Sequence, residues 1–81
     1  MQPGIWEVDL HGKNEYQARV TIDAALRRAK TGTYRIRCIH GHHGGTALRA
    51  LIRREYGKHP RVLRLETGVG AGVTDLVLRE F

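Results

Sequence analysis

The spacing of apolar residues in this chain switches repeatedly between a period of two and a period near 3.6, and that alternation most limits its fold. Ile5 to Leu10 reads as a strand, with Trp6, Val8 and Leu10 on one face and Glu7 and Asp9 on the other. A turn at His11-Gly12-Lys13 leads to a helix whose stripe is Ala18, Ile22, Ala25, Leu26 and Ala29. Asn14 opens that helix, and Gln17 completes a capping-box pattern. Gly32 is expected to close it as a C′ residue. Tyr34 to Ile39 alternates again, with Arg35 and Arg37 opposite Tyr34, Ile36 and Cys38. A second helix is predicted from a Thr46 N-cap to Tyr56, with Leu48, Leu51, Ile52 and Tyr56 inward and Gly57 as its stop. Two strands follow, Val62 to Leu65 and Val73 to Leu78, separated by the glycine-rich stretch from Glu66 to Gly72.

The order β-α-β-α-β-β predicts an α/β two-layer sandwich. Strands joined by helices run parallel through right-handed crossovers, and the last strand is expected to run antiparallel to one neighbour. The result is a mixed four-stranded sheet with both helices on one face. Arg35 and Arg37 then fall on the open face, or are only partly covered. The 81 residues suffice for one core and no more, so the expected organisation is a single domain over residues 1–81. Cys38 is the only cysteine and lies in an apolar run, which makes it a packing residue before a reactive thiol. No apolar stretch approaches a membrane span, and the first residues lack the regions of a signal peptide, so a cytoplasmic protein without membrane contact is expected.

The charge points to a partner. The net charge is +6, and arginine supplies most of the fourteen cations. Guanidinium grips phosphate in two places where an ammonium cannot, so a nucleic acid, DNA or RNA, is the expected ligand rather than bulk solvent alone.

Two loops leave the carboxyl ends of strands and run into helix N-termini, where free N–H groups attract anions. The first carries Asp9, His11, Gly12 and Lys13; the second carries His40, Gly41, His42, His43, Gly44 and Gly45. Asp9 reads either as a capping carboxylate or as a functional one. His11 reads either as a turn former or as a general acid/base. His42 and His43 are the favoured ligand contacts of the second loop, with His40 partly buried. Arg49 and Arg53 share a face of the second helix and could track successive phosphates. No metal-site motif is present, so no metal ligands are assigned, and a divalent cation is left open as a cofactor. Neither a P-loop nor a dinucleotide fingerprint occurs, and Gly68-Val69-Gly70-Ala71-Gly72 precedes a strand. No aromatic platform of the RRM kind stands out.

Asp9-Leu10-His11-Gly12 with Gln17-Ala18 resembles the D-L-H-G…E-A opening of Smr (small MutS-related) domains. Ile39-His40-Gly41 and Gly44-Gly45-Thr46-Ala47-Leu48-Arg49 are similar to the family's central loop and the helix after it. His59-Pro60-Arg61-Val62 and Gly72-Val73-Thr74-Asp75-Leu76-Val77-Leu78 resemble its ending. The resemblance spans about residues 5–78. Many members carry G-x-G where this chain has Gly41-His42-His43-Gly44-Gly45. The resemblance implies a stand-alone member of the family, with a fold like the C-terminal domain of translation initiation factor three. It implies nucleic-acid binding with endonuclease activity, Asp9 and His11 in cleavage, and the loop from His40 to Gly45 on phosphate. Because other members are attached to mismatch-repair-like, ribosome-associated or RNA-processing proteins, it also implies a ribosome or repair-protein partner. A non-catalytic module for structured RNA, branched DNA or the ribosome is the alternative. A small-molecule phosphoesterase is a weaker third reading.

Overall fold

A computed structural model describes residues 4–41, 46–67 and 70–80. In chain order the elements are β1 (Ile5–Asp9), α1 (Glu15–Arg28), β2 (Arg35–Ile39), α2 (Thr46–Tyr56), β3 (Arg64–Glu66) and β4 (Val73–Val77). The capping box forms as the sequence requires. The Asn14 side chain accepts the Gln17 N–H at 2.8 Å, and the Gln17 side chain accepts the Asn14 N–H at 3.0 Å. A cap of this kind stabilises a helix by about 1 kcal/mol.

Three local expectations need correction. Helix α1 ends at Arg28, and Ala29 turns extended while its N–H still donates to the Ala25 carbonyl at 2.9 Å. Gly32 is not the left-handed terminator, because Gly4, Gly12 and Gly41 are the described glycines with positive φ. The Arg61 guanidinium donates to the Leu26 and Ala29 carbonyls, so the helix end is satisfied from another part of the chain. Thr46 is the first helical residue of α2 rather than its cap. Strand β3 starts two residues later than the pattern suggests, since Val62 is drawn into the core by a turn in which its N–H donates to the His59 carbonyl at 2.9 Å.

The sheet order is β1-β2-β4-β3. Strands β1 and β2 are parallel, and β4 lies between β2 and β3, antiparallel to both rather than to one neighbour. Every sheet residue of the main core cluster points one way: Val8, Ile36, Cys38 and Leu76 meet Ala18, Ile22 and Leu26 of α1 and Leu48, Leu51, Ile52 and Tyr56 of α2. Both helices therefore cover one face, as the pattern predicts. Burial pushes the Cys38 thiol above its usual range, so it packs rather than reacts. The Tyr56 hydroxyl reaches across to donate to Asp23 Oδ1 at 2.7 Å, tying α2 to α1.

The other face carries charge. Register aligns Glu7, Arg37, Asp75 and Glu66 in one row across the four strands. Asp75 is buried and accepts from Arg35 Nη1 at 2.9 Å and from Arg37 Nε and Nη2 at 3.0 Å each. Arg35 also reaches Glu66 at 2.8 Å, and Arg64 donates to Glu66 at 2.7 Å and to Glu80. The hydrogen bonds that Arg35 and Arg37 donate to Asp75 raise the pKa of both. Those from Arg64 and Arg35 hold the Glu66 carboxyl below its usual range.

Among the described residues, no helix is long and apolar enough to cross a membrane.

Candidate nucleic-acid interface

The first loop is shaped by its own short-range hydrogen bonds. Asp9 Oδ1 accepts the His11 N–H at 3.0 Å, and the Lys13 N–H donates to the Leu10 carbonyl at 3.0 Å. Gly12 takes φ +79°, which suits the third position of a type II turn and disfavours any residue with a Cβ. The turn leaves Asp9 and His11 exposed at the carboxyl edge of the sheet, while Leu10 is fully buried beneath them. Among the described residues, no further partner occupies the Asp9 carboxylate.

The second loop starts beside the first. The Leu10 N–H donates to the Ile39 carbonyl at 2.8 Å, so the two chain ends leave the sheet together. Gly41 has φ +78°, and a Cβ placed there would lie 3.8 Å from His11 Cδ2. The loop base is also fastened to β4. The His40 and Gly41 N–H groups both donate to the Gly72 carbonyl, at 2.9 and 3.0 Å.

His40 is 2% exposed, more deeply held than its expected ligand role requires. Its Nδ1–H donates to the Gly41 carbonyl at 2.8 Å, and in the neutral ring Nε2 accepts from the Thr74 hydroxyl at 2.9 Å. Both ring nitrogens are thus engaged inside the protein, and the ring acts as a clip holding Gly41 rather than as a surface contact. Reading the sequence did not single out Thr74. Its signal was there: a hydroxyl two positions from Leu76, on the core-facing side of the strand.

His42, His43, Gly44 and Gly45 lie outside the described residues. Helix α2 begins immediately after them, and its N-terminus carries the positive end of the helix dipole. Arg49 and Arg53 are exposed on α2, about 6 Å apart along its axis. Neither is ion-paired among the described residues, whereas Arg54 beside them is held by Glu15 and Glu55 at 3.3 Å each. Lys13 is half-buried and has no ion pair among the described residues. The structure therefore brings Asp9, His11, Gly12 and Gly41 together, sets Arg49 and Arg53 on the following helix, and turns His40 inward. Among the described residues, no group of three His, Cys, Asp or Glu side chains could hold a metal ion.

Residues 8–79 match the family model for the Smr domain. The crystal structure of the Smr domain of Thermus thermophilus MutS2 is similar to this one, with a TM-score of 0.78 and 36% sequence identity. That similarity covers 93% of this chain and 99% of the other. No curated protein sequence gives a significant match.

Proposed function

The chain belongs to the Smr domain family, and from that premise we propose that it binds nucleic acid at the carboxyl edge of its sheet and cleaves a phosphodiester there. The observation that carries the reading is the convergence of two glycine turns, with exposed Asp9 and His11 beside Gly41 and the N-terminus of α2 following. A phosphate seated at the α2 N-terminus beside Gly41 would meet the free N–H groups of the first turn of that helix and its dipole, while the Gly41 N–H stays committed to the Gly72 carbonyl. The His11 imidazole is the proton carrier, moving a proton between the attacking water or ribose 2′-hydroxyl and the leaving oxygen. Asp9 fixes the His11 backbone through one oxygen and leaves the other to orient the nucleophile. Arg49 neutralises charge that develops on the phosphoryl oxygens.

A second reading is favoured by one observation. The Asp9–His11 N–H bond is itself a complete structural role, so the loop would serve equally in a module that binds and does not cut.

The test is a gel assay with labelled single-stranded RNA, duplex DNA and supercoiled plasmid, run with magnesium, with manganese and with EDTA. An Asp9→Asn/His11→Ala double variant is purified in parallel. Cleavage by the parent, reduced at least about a hundredfold in the variant with binding retained, is the expected result. Binding with no product by either protein would leave the non-catalytic module. Equal loss of binding and cleavage would remove Asp9 and His11 from the chemistry.

A further inference from the structure

Away from the loops, α1 and the β1 edge form a second surface. Tyr16, Val20, Ala24 and Arg28 are spaced four apart, so they lie in one row along the helix. The row starts one turn from the Asp9–His11 loop and runs about 18 Å to the far end of α1. Tyr16 is 71% exposed and Val20 49%; of the three large apolar residues exposed among the described ones, these two share this row. Trp6 joins it from the edge strand. Its ring packs on the core but remains half-buried, and the part of α1 that lines the cleft beside it includes the small side chains of Ala24 and Ala25.

Two clefts meet at Trp6. One is apolar, between Val8, Val20 and Ala24. The other, of about 550 Å³, is lined by Trp6 with Arg27, Arg28, Lys30 and Thr33. No acidic side chain lines either cleft among the described residues. Arg27, Arg28 and Lys30 are exposed and have no ion pair among the described residues. Among the described residues no side-chain hydrogen bond ties them to the end of α1 either, where Arg61 donates to the Leu26 and Ala29 carbonyls. Flat apolar rings beside uncompensated cations match a chain that alternates exposed bases with phosphates. A duplex offers no free base faces to such rings.

We propose that this row is a track for single-stranded nucleic acid, with one base stacked on Trp6, another on Tyr16, and the phosphates that flank the Trp6 base held by Arg27, Arg28 and Lys30. The track leads a strand from the far end of α1 to the carboxyl-edge loops. It rests on the nucleic-acid reading above and adds the class of substrate, an unpaired strand.

Trp6 is the only tryptophan, so its emission reports the track directly. The probe is a thymidine oligomer of about twelve nucleotides, within the span that single-strand sites cover, against a duplex of the same length. The single strand should quench Trp6 and the duplex should not. Tyr16→Ala and Arg28→Gln sit on the surface and preserve the fold. Tyr16→Ala should weaken single-strand binding about five- to a hundredfold, and both variants should leave duplex binding unchanged. Trp6→Phe keeps a ring in the core and should weaken it less than Trp6→Ala. Single-strand binding, measured by anisotropy, with no Trp6 quenching and no effect of Tyr16→Ala or Arg28→Gln would overturn the track and leave the nucleic-acid reading standing. Absence of binding to any oligomer would overturn both. A concentration-dependent dimer that Tyr16→Ala dissociates, with oligomer binding unaffected, would reassign the row to a second copy of the chain.

Discussion

Thr74→Val tests whether the His40 clip holds the binding loop. Both partners are buried, His40 to 2% exposure and Thr74 to 1%, and Nε2 lies 2.9 Å from the hydroxyl. The proton on Nδ1 is committed to the Gly41 carbonyl, so in the neutral ring Nε2 is the acceptor of the Thr74 hydroxyl. Valine keeps the shape of threonine and removes the donor. It leaves a buried lone pair facing carbon, which costs about 1–3 kcal/mol. In a domain of this size each kcal/mol moves the melting midpoint by about 4–8 °C, so a loss near 10 °C is expected. Thr74→Ser retains the hydroxyl and should lose much less. Urea unfolding followed by circular dichroism gives the energies, and a double-mutant cycle with His40→Ala isolates the pair. A coupling of about 0.5–3 kcal/mol is expected. Strict additivity, or a Thr74→Val loss below about 0.5 kcal/mol, would refute the clip. Oligonucleotide affinity should fall with Thr74→Val in the folded state, because Gly41 loses its brace next to His11.

Two other outcomes follow from the open face. Asp75→Ala leaves Arg35 and Arg37 facing each other without their shared acceptor. The loss should be about 2–3 kcal/mol in a urea titration, below the ~3–5 of a fully buried pair because the guanidiniums reach water; a loss under about 1 would show that Asp75 is dispensable. Glu66 tests the acid limb of stability. Its carboxyl is held below the ordinary 4.5 by Arg64 and Arg35, so its contribution is present above that pH and disappears as pH falls through the depressed value. Glu66→Gln should flatten the stability profile below about pH 4.5, and an unchanged profile would locate the acid sensitivity elsewhere.

The periodic elements were legible because each carries its own local signal. The Asn14–Gln17 box, the inward faces of both helices and the opposed arginines of β2 all occur where the pattern sets them. What escaped was decided by distant residues. The Gly32 terminator failed because Arg61, thirty-odd positions away, caps α1. Strand β4 enters between β2 and β3, a choice of register between non-consecutive segments that no local period encodes. In the candidate site, Asp9, His11 and Gly12 were visible as a turn motif, and Gly41 as a glycine after a strand. The inward role of His40 was hidden because its partner, Thr74, is 34 residues away. Alternation placed Trp6 on the core face correctly, yet it could not show that its ring stays half-covered beside the small residues of α1.

The same distance effect decides what the positive charge does. The net charge of +6 invites the view that all arginines contribute to a polyanion site. The structure divides them. Asp75, Glu66 and Glu80 engage Arg35, Arg37 and Arg64 on the open face, while Glu15 and Glu55 hold Arg54. Arg49 and Arg53 on the helix layer have no such partners among the described residues. Counterion release depends on cations that approach phosphate, so paired guanidiniums add little to the salt slope. Replacing Arg49 and Arg53 together by glutamine should therefore lower the slope of log affinity against log salt by about 2 on duplex DNA, with little change in stability. Arg37→Gln should do the reverse, reducing stability and leaving the slope alone. A fluorescence titration over a range of salt concentrations reads both. A slope lowered by Arg37→Gln and unchanged by the Arg49/Arg53 double variant would mean that the open face, not the helix layer, meets the nucleic acid.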